Sequence, residues 1–132
     1  MNESTVTNAF SEQWYMRPVV FVSDVQRALA FYVGQLGFTK RWHEADGKGT
    51  VCQVDRGGCE VILCQDVSRQ DRSRLFVELN RDGIDQLRRE IAERSLPVTM
   101  TWWGYDAIRI ADPDGNELLF PLDQTNDRQR QG

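Results

Sequence analysis

The sequence has little histidine and lysine and no long apolar run. Its 132 residues include one histidine, His43, and two lysines among the 16 basic residues, and the net charge is −4 at pH 7. This balance argues against a nucleic-acid partner, because domains that bind phosphates usually carry a basic patch. No apolar stretch approaches the roughly 20 residues that cross a bilayer, and the N-terminus lacks the layout of a signal peptide. We expect a cytoplasmic protein with no nucleic-acid or membrane partner.

Cysteine is also scarce, and its pattern indicates no special chemistry. Cys52, Cys59 and Cys64 form an odd set without a Cys-x-x-Cys pair, and they fall in apolar strand patterns where a thiol behaves as a small hydrophobic side chain. We expect them to be structural. A chain of this length, with 40% hydrophobic residues, can form one globular domain that buries roughly two-thirds of its unfolded surface, which excludes a multidomain enzyme.

Two stretches of the chain repeat the same order of predicted elements. Residues 17–65 are predicted to form a strand at 17–22, then a helix, then three strands at 38–44, 50–55 and 59–65. The helix is capped by Ser23 with Gln26 and ends at Gly37. Residues 74–122 repeat this order with a helix at 83–94, capped by Asp82, and strands at 74–79, from Pro97, 106–111 and 117–121. Residues 66–73 are predicted to be a linker, and residues 1–16 and 123–132 are predicted to be tails.

This internal repeat has a period of about 57 residues. It predicts one α+β domain over residues 17–122, made of two βαβββ modules at 17–65 and 74–122. Their sheets should be curved and mixed, and each should be backed by a helix.

Alternation along the strands separates an apolar face from a mixed face. The apolar set is predicted to be core and comprises Val20, Val22, Val61, Leu63, Leu75, Val77, Leu79, Ile108, Ile110, Leu118 and Phe120. The opposite set includes Phe21, Phe76, Arg17, Arg74, Arg109 and Glu117. A solvated sheet face with salt bridges such as Arg74 to Glu117 fits this mixture. We favour a concave ligand pocket, because ligand sites are mostly apolar with a few placed polar groups.

Tryptophans occur in segments that are otherwise polar. Trp42, Trp102 and Trp103, with Tyr105 close after Trp103, lie in segments that are otherwise polar, so their rings are not easily explained as core. An exposed indole offers a large rigid surface for stacking on planar or cationic groups. The alternative is that one ring caps the core and another lies in a dimer interface. We expect at least one of the three to line a pocket.

Three motifs, taken in order, carry a family resemblance. They are Phe21-Val-Ser-Asp24-Val25 followed by Phe31-Tyr32 and Leu36-Gly37-Phe38, the hairpin Arg56-Gly-Gly58, and Trp103-Gly104 followed by Asp112-Pro-Asp-Gly-Asn116. Over about residues 17–122 the chain resembles the vicinal oxygen chelate superfamily, which includes glyoxalase I, extradiol dioxygenases, fosfomycin-resistance enzymes and bleomycin-resistance proteins. The resemblance implies paired βαβββ modules and a homodimer in which modules from two chains complete each cupped site.

The same resemblance makes a metal site unexpected. It places the metal ligands of the catalytic members at Arg17, Ile62, Arg74 and Leu119, and neither a guanidinium nor an aliphatic side chain offers a lone pair to a divalent metal. We therefore expect no metal, no cofactor and no catalytic residue. The remaining similarity is to the metal-free bleomycin-resistance branch, in which the positions of Trp42 and Trp103 contribute to the ligand crevice.

Two functions remain open from the sequence. The first is sequestration of a drug-like small molecule, such as a bleomycin-like compound, and the predicted ligand-binding set is Trp42, Trp102, Trp103, Phe21, Phe76, Arg17, Arg74, Arg109 and Glu117. The second is an enzyme of the lyase, isomerase or dioxygenase type that acts on a small anionic substrate, with Glu117 or Glu60 as acid or base. It ranks lower, because arginines lower the pKa of a neighbouring carboxylate and weaken it as a base. A domain with a degenerate pocket is also compatible with the sequence.

Overall fold

The computed structural model describes residues 14–69, 71–102, 104 and 106–122 and contains two four-stranded sheets. The first module consists of β1 (Val19–Val22), α1 (Val25–Leu29), which continues as a π-helix over Ala30–Gln35, β2 (Thr39–His43), β3 (Val51–Arg56) and β4 (Cys59–Gln65). A short helical turn over Glu44–Gly47 joins β2 to β3. The second consists of β5 (Arg74–Phe76), α2 (Arg81–Arg94), β6 (Thr99–Trp102), β7 (Asp106–Ala111) and β8 (Glu117–Pro121). The predicted α+β class with two βαβββ modules is confirmed.

The two sheets have the same topology. Their strand orders are β1-β4-β3-β2 and β5-β8-β7-β6, and in each sheet the first and last strands of the module pair in parallel while the other pairs are antiparallel. Val19 pairs with Ile62 in the first sheet, and Phe76 pairs with Leu119 in the second. The repeat read from the sequence is therefore a repeat of strand order and of register.

The β3–β4 hairpin forms as its glycines predict. Arg56 pairs with Cys59, which leaves Gly57 and Gly58 as a two-residue loop. Gly57 has a φ of 58°, in the left-handed region that glycine adopts without a steric penalty.

Both helices start differently from the sequence prediction. The α1 cap is Asp24 rather than Ser23, because its carboxylate accepts the backbone N–H groups of Gln26 and Arg27 at 2.9 and 3.1 Å. The α2 cap is Asn80, which accepts the Gly83 N–H at 2.8 Å, so the predicted cap Asp82 lies inside the helix. In each case several hydroxyl, amide or acidic residues stand side by side, and only the backbone conformation selects the one that caps.

The predicted core is present and is shared by the two modules. Of the eleven residues assigned to it, eight are buried, and Leu75, Val77 and Leu79 are half-buried against the same cluster. That cluster also contains Tyr32 of the first helical segment and Leu87 of α2. Strand β5 ends at Phe76, three residues before the predicted end, although the Val77 N–H still donates to Leu119 O at 2.9 Å.

Most of the predicted tails, and two of the residues singled out around Gly104, lie outside the described residues. These are residues 1–13 and 123–132, together with Trp103 and Tyr105. Within the described part of the chain, no helix has the length and apolar character needed to span a membrane.

Candidate functional site

The mixed face of the first sheet is organised around Gln53, which is only 3% exposed. Its side-chain oxygen accepts hydrogen bonds from Arg17 Nη1 at 2.7 Å and from the Trp42 indole Nε1 at 3.0 Å. Its side-chain nitrogen donates to Asp55 Oδ1 at 2.9 Å and to Glu60 Oε1 at 3.1 Å. A single buried amide thus fixes an arginine, an indole and two carboxylates on one face.

Tyr15 adds a second aromatic group to this face. Its hydroxyl donates to Glu60, and the Arg17 guanidinium lies 5.9 Å from the centre of its ring. Phe21, two residues beyond Val19 on β1, is covered by Arg69, whose guanidinium carbon lies 4.2 Å from the ring centre. Both rings therefore contact cations already.

The mixed face of the second sheet is organised around Glu117. Arg74 Nε contacts Glu117 Oε1 at 2.9 Å, and Arg109 Nε donates to Glu117 Oε2. The hydrogen bond from Arg109 is the largest cause that lowers the pKa of Glu117, and Arg74 lowers that pKa further. The salt bridge from Arg74 to Glu117, which is expected for a solvated sheet face, is present. The lowered pKa makes Glu117 a weaker base than an ordinary glutamate.

The two faces correspond position by position, because their registers match. Gln53 and Arg109 each pair with the central residue of the last strand, Ile62 or Leu119. Trp42 pairs with Gln53, and Thr99 pairs with Arg109. The first module thus presents an indole and an amide where the second presents a hydroxyl and a guanidinium. The first face therefore offers a surface for stacking, and the second offers an ionic one.

A cleft of about 280 Å³ connects residues of the two faces. It is lined by Glu60 from the first module and by Arg74 and Phe76 from the second, with Met16 and Pro18 beside them. Phe76 is 42% exposed, so the lining of this cleft combines an exposed aromatic ring with a carboxylate and a guanidinium.

The tryptophans occupy different positions. Trp42 lies on the mixed face and remains 40% exposed. Trp102 pairs with Asp106 and follows Thr101, which pairs with Ala107. It therefore shares the side of the core residue Ile108 rather than that of Arg109, and it stands 70% exposed on the edge strand β6. The structure does not bring Trp102 together with Arg109 and Glu117, and Trp103 is outside the described residues.

The residues at the positions where the family resemblance implies metal ligands do not fit a metal. Arg17 is bonded to Gln53, Arg74 is paired with Glu117, and Ile62 and Leu119 are aliphatic. The nearby carboxylates Glu60 and Glu117 already accept hydrogen bonds from neighbouring donors. Within the described ranges, no group of three or more His, Cys, Asp or Glu side chains could hold a metal ion.

Sequence reasoning missed Gln53, Asp55 and the role of Tyr15. The two strand residues could have been found by extending the alternation to β3, where Gln53 separates the buried Cys52 and Val54. Tyr15 had no such signal, since it lies before the first strand and its partner Glu60 is 45 residues away.

Comparisons with known proteins agree with this fold. A family model described as glyoxalase superfamily protein matches residues 3–127, and the chain belongs to that superfamily. No curated protein sequence gives a significant match.

Solved structures of the same fold include proteins with different activities. A lactoylglutathione lyase from Agrobacterium tumefaciens is 16% identical, with a TM-score of 0.64 over 86% of this chain and 96% of that one. The bleomycin-binding protein of bleomycin-producing Streptomyces verticillus, complexed with copper(II)-bleomycin, is 22% identical, with a TM-score of 0.62 over 83% and 98%. A glyoxalase/bleomycin resistance protein/dioxygenase superfamily member from Sphaerobacter thermophilus is 26% identical, with a TM-score of 0.59 over 83% and 98%.

Proposed function

We propose that the protein is a metal-independent binding protein that sequesters a small, drug-like molecule with a planar aromatic part. The observation that carries this proposal is Trp42, whose indole is held by Gln53 on the mixed face while 40% of the residue remains exposed. An aromatic ring fixed in this way can stack on a planar ligand with little loss of side-chain freedom.

The remaining features support binding rather than metal-assisted chemistry. The positions where the resemblance implies metal ligands carry Arg17, Ile62, Arg74 and Leu119, which offer no metal-binding atoms. A neighbour with the same fold is bound to copper(II)-bleomycin, so bleomycin is the first compound to test. We also propose that the protein forms a homodimer in the cytoplasm. In this dimer the mixed face of the first sheet of one chain, which carries Trp42, would meet the mixed face of the second sheet of its partner, which carries Arg74 and Arg109.

A tryptophan-fluorescence titration of metal-analysed protein with metal-free and copper-loaded bleomycin tests the proposal. We expect saturable quenching at about one ligand per chain, and about tenfold weaker binding in Trp42→Ala, since stacking and buried area are both lost. The exposed Trp14 provides the matched control, Trp14→Ala. The absence of a saturable response would contradict bleomycin as the ligand. Unchanged affinity in Trp42→Ala would contradict the role of Trp42 in binding.

The arginines favour a second candidate function, that of an enzyme acting on a small anionic substrate. Arg74 and Arg109 both contact Glu117, and guanidinium groups suit a carboxylate or phosphate, so an anionic substrate would bind by sharing or displacing the Glu117 contacts. Glu117 would be the acid or base, and its lowered pKa makes it a poor one. Turnover of an anionic substrate that is lost in Glu117→Gln would establish this function in place of sequestration.

A further inference from the structure

A cavity of about 250 Å³ lies at the seam between the two modules. We call it the seam cavity. Leu36, Phe38 and Cys59 line it from the first module, and Leu79, Leu87 and Phe120 line it from the second. All six side chains are buried or half-buried members or neighbours of the core, so the lining is mostly apolar.

The seam cavity adjoins the cleft described above, with which it shares the lining residues Phe38, Gly58, Cys59, Val77 and Leu118, but it lies on the other side of the sheet from the mixed face of β8. Its β8 lining residues are Leu118 and Phe120, whereas Glu117 and Leu119 alternate with them and point to the opposite side of the sheet. Neither Trp42 nor Glu117 lines the seam cavity, so variants of these two residues test the mixed faces without changing the lining of the cavity.

The polar groups beside the cavity already have partners. Both terminal nitrogens of Arg56 donate to Glu90 at 2.8 Å, and Nη1 also donates to Leu36 O at 2.6 Å. The Gln86 side chain donates to Glu90 and accepts from Arg89. An anionic ligand would therefore lose its hydration without gaining a free cation at Arg56. Glu78, the other charged lining residue, is exposed to water. Its carboxylate would therefore compensate little of the hydration that a cation loses on entering the cavity.

Volume and lining together define a ligand class. An apolar cavity of about 150 Å³ holds a benzene molecule, so about 250 Å³ accommodates one aromatic ring with a short substituent. We propose that the seam cavity binds a small, uncharged, single-ring aromatic molecule.

Glycine amide signals provide a direct test with ethylbenzene as the probe. Gly57, Gly58 and Gly83 line the seam cavity, whereas Gly47 and Gly115 do not. In ¹H–¹⁵N correlation spectra of the full chain, ethylbenzene should shift the first three signals saturably and leave the other two unchanged. The absence of saturable shifts, or equal shifts of all five signals, would overturn the proposal.

Two filling variants and a charged probe locate the site and define the class. Leu79→Phe and Leu87→Phe should each weaken ethylbenzene binding at least tenfold, while Val67→Phe, at an exposed linker position, should not. The charged analogue 2-phenylethylamine should bind at least tenfold more weakly than ethylbenzene. Equal affinity for the two probes, or unchanged affinity in both folded filling variants, would contradict the proposal. Trp42→Ala should leave ethylbenzene binding unchanged, which separates this test from that of the mixed face.

Discussion

At the scale of single residues, Gln53 determines the shape of the mixed face of the first sheet. All of its polar atoms are used, in bonds to Arg17, Trp42, Asp55 and Glu60. A buried amide with all its partners in place positions its neighbours, and its removal leaves several polar groups unpaired at once.

We expect Gln53→Ala to lower the free energy of unfolding by about 1 to 3 kcal/mol, because buried bonds are lost and their partners are left behind. The variant should also change the tryptophan emission, since the Trp42 indole loses its acceptor. Urea unfolding and emission spectra measure the two effects. The exposed Gln35→Ala is the matched control. An emission change that persists when Gln53→Ala is made in a Trp42→Phe background would contradict the assignment to Trp42.

Glu117 predicts a pH-dependent contribution to stability. Its pKa is lowered in the folded state, mainly by the hydrogen bond from Arg109. The stabilisation is therefore present above the ordinary pKa of 4.5 and disappears as the pH falls through the lower folded-state pKa.

We expect Glu117→Gln to cost about 1 kcal/mol at pH 7, a modest value because Arg74 is more than half exposed. The cost should shrink as the pH falls below 4.5. Urea unfolding at several pH values measures it, with the exposed Glu93→Gln as the control. An equal cost at pH 7 and at pH 3 would show that the charge of Glu117 is not the cause.

At the scale of elements, the first helical segment is joined to the β7–β8 turn of the other module. The Tyr32 hydroxyl donates to Asp112 Oδ2 at 2.9 Å, and Asn116 Nδ2 donates to the same atom at 3.0 Å. Asp112 Oδ1 accepts the backbone N–H groups of Asp114 and Asn116. Burial, the largest cause, raises the pKa of Tyr32, as do the nearby acidic groups, so its hydroxyl stays protonated and remains a donor.

Tyr32→Phe should keep the ring contacts with Phe31 and Phe38 and remove only this hydrogen bond. We expect a loss of about 1 to 3 kcal/mol in the free energy of unfolding, because Asp112 is buried. Chemical denaturation measures it. Tyr15→Phe, which removes a hydroxyl from an exposed ring, should cost less. Equal costs in the two variants would contradict a special role for the buried pair.

The sequence predicted the elements better than their partners. Strand alternation and the Gly57–Gly58 pair are local signals, and the structure contains the buried strand residues and the hairpin that they predicted. The Tyr32–Asp112 bond spans 80 residues, and no local pattern reports such a contact. The face that Trp102 occupies could not be predicted locally either. Adjacent residues of a strand point to opposite faces, and the pairing of β6 with β7 decides which face each one occupies.

At the scale of the whole molecule, an ion cluster clamps the two modules together. Glu90 of α2 binds Arg56 of β3 through both carboxylate oxygens and also contacts Arg94 at 2.9 Å. The two arginines in turn donate to Leu36 O and Gln35 O at the end of the π-helix. Glu90 is 6% exposed, so this cluster contributes more than a pair of surface charges.

The clamp predicts how the stability of the whole fold responds to acid. Arg56 is the first cause that lowers the pKa of Glu90 to about 2 from its ordinary 4.5. This difference corresponds to about 3 kcal/mol, which is present above pH 4.5 and is lost as the pH falls toward 2. At pH 7, Glu90→Gln should cost about 2 to 3 kcal/mol in urea unfolding, while Glu93→Gln on the exposed face of α2 should cost little.

Because the cluster joins the modules, its loss should destabilise both of them, and tryptophan emission and far-UV circular dichroism should still report one transition. Two separate transitions in Glu90→Gln would show instead that each module is stable without the clamp.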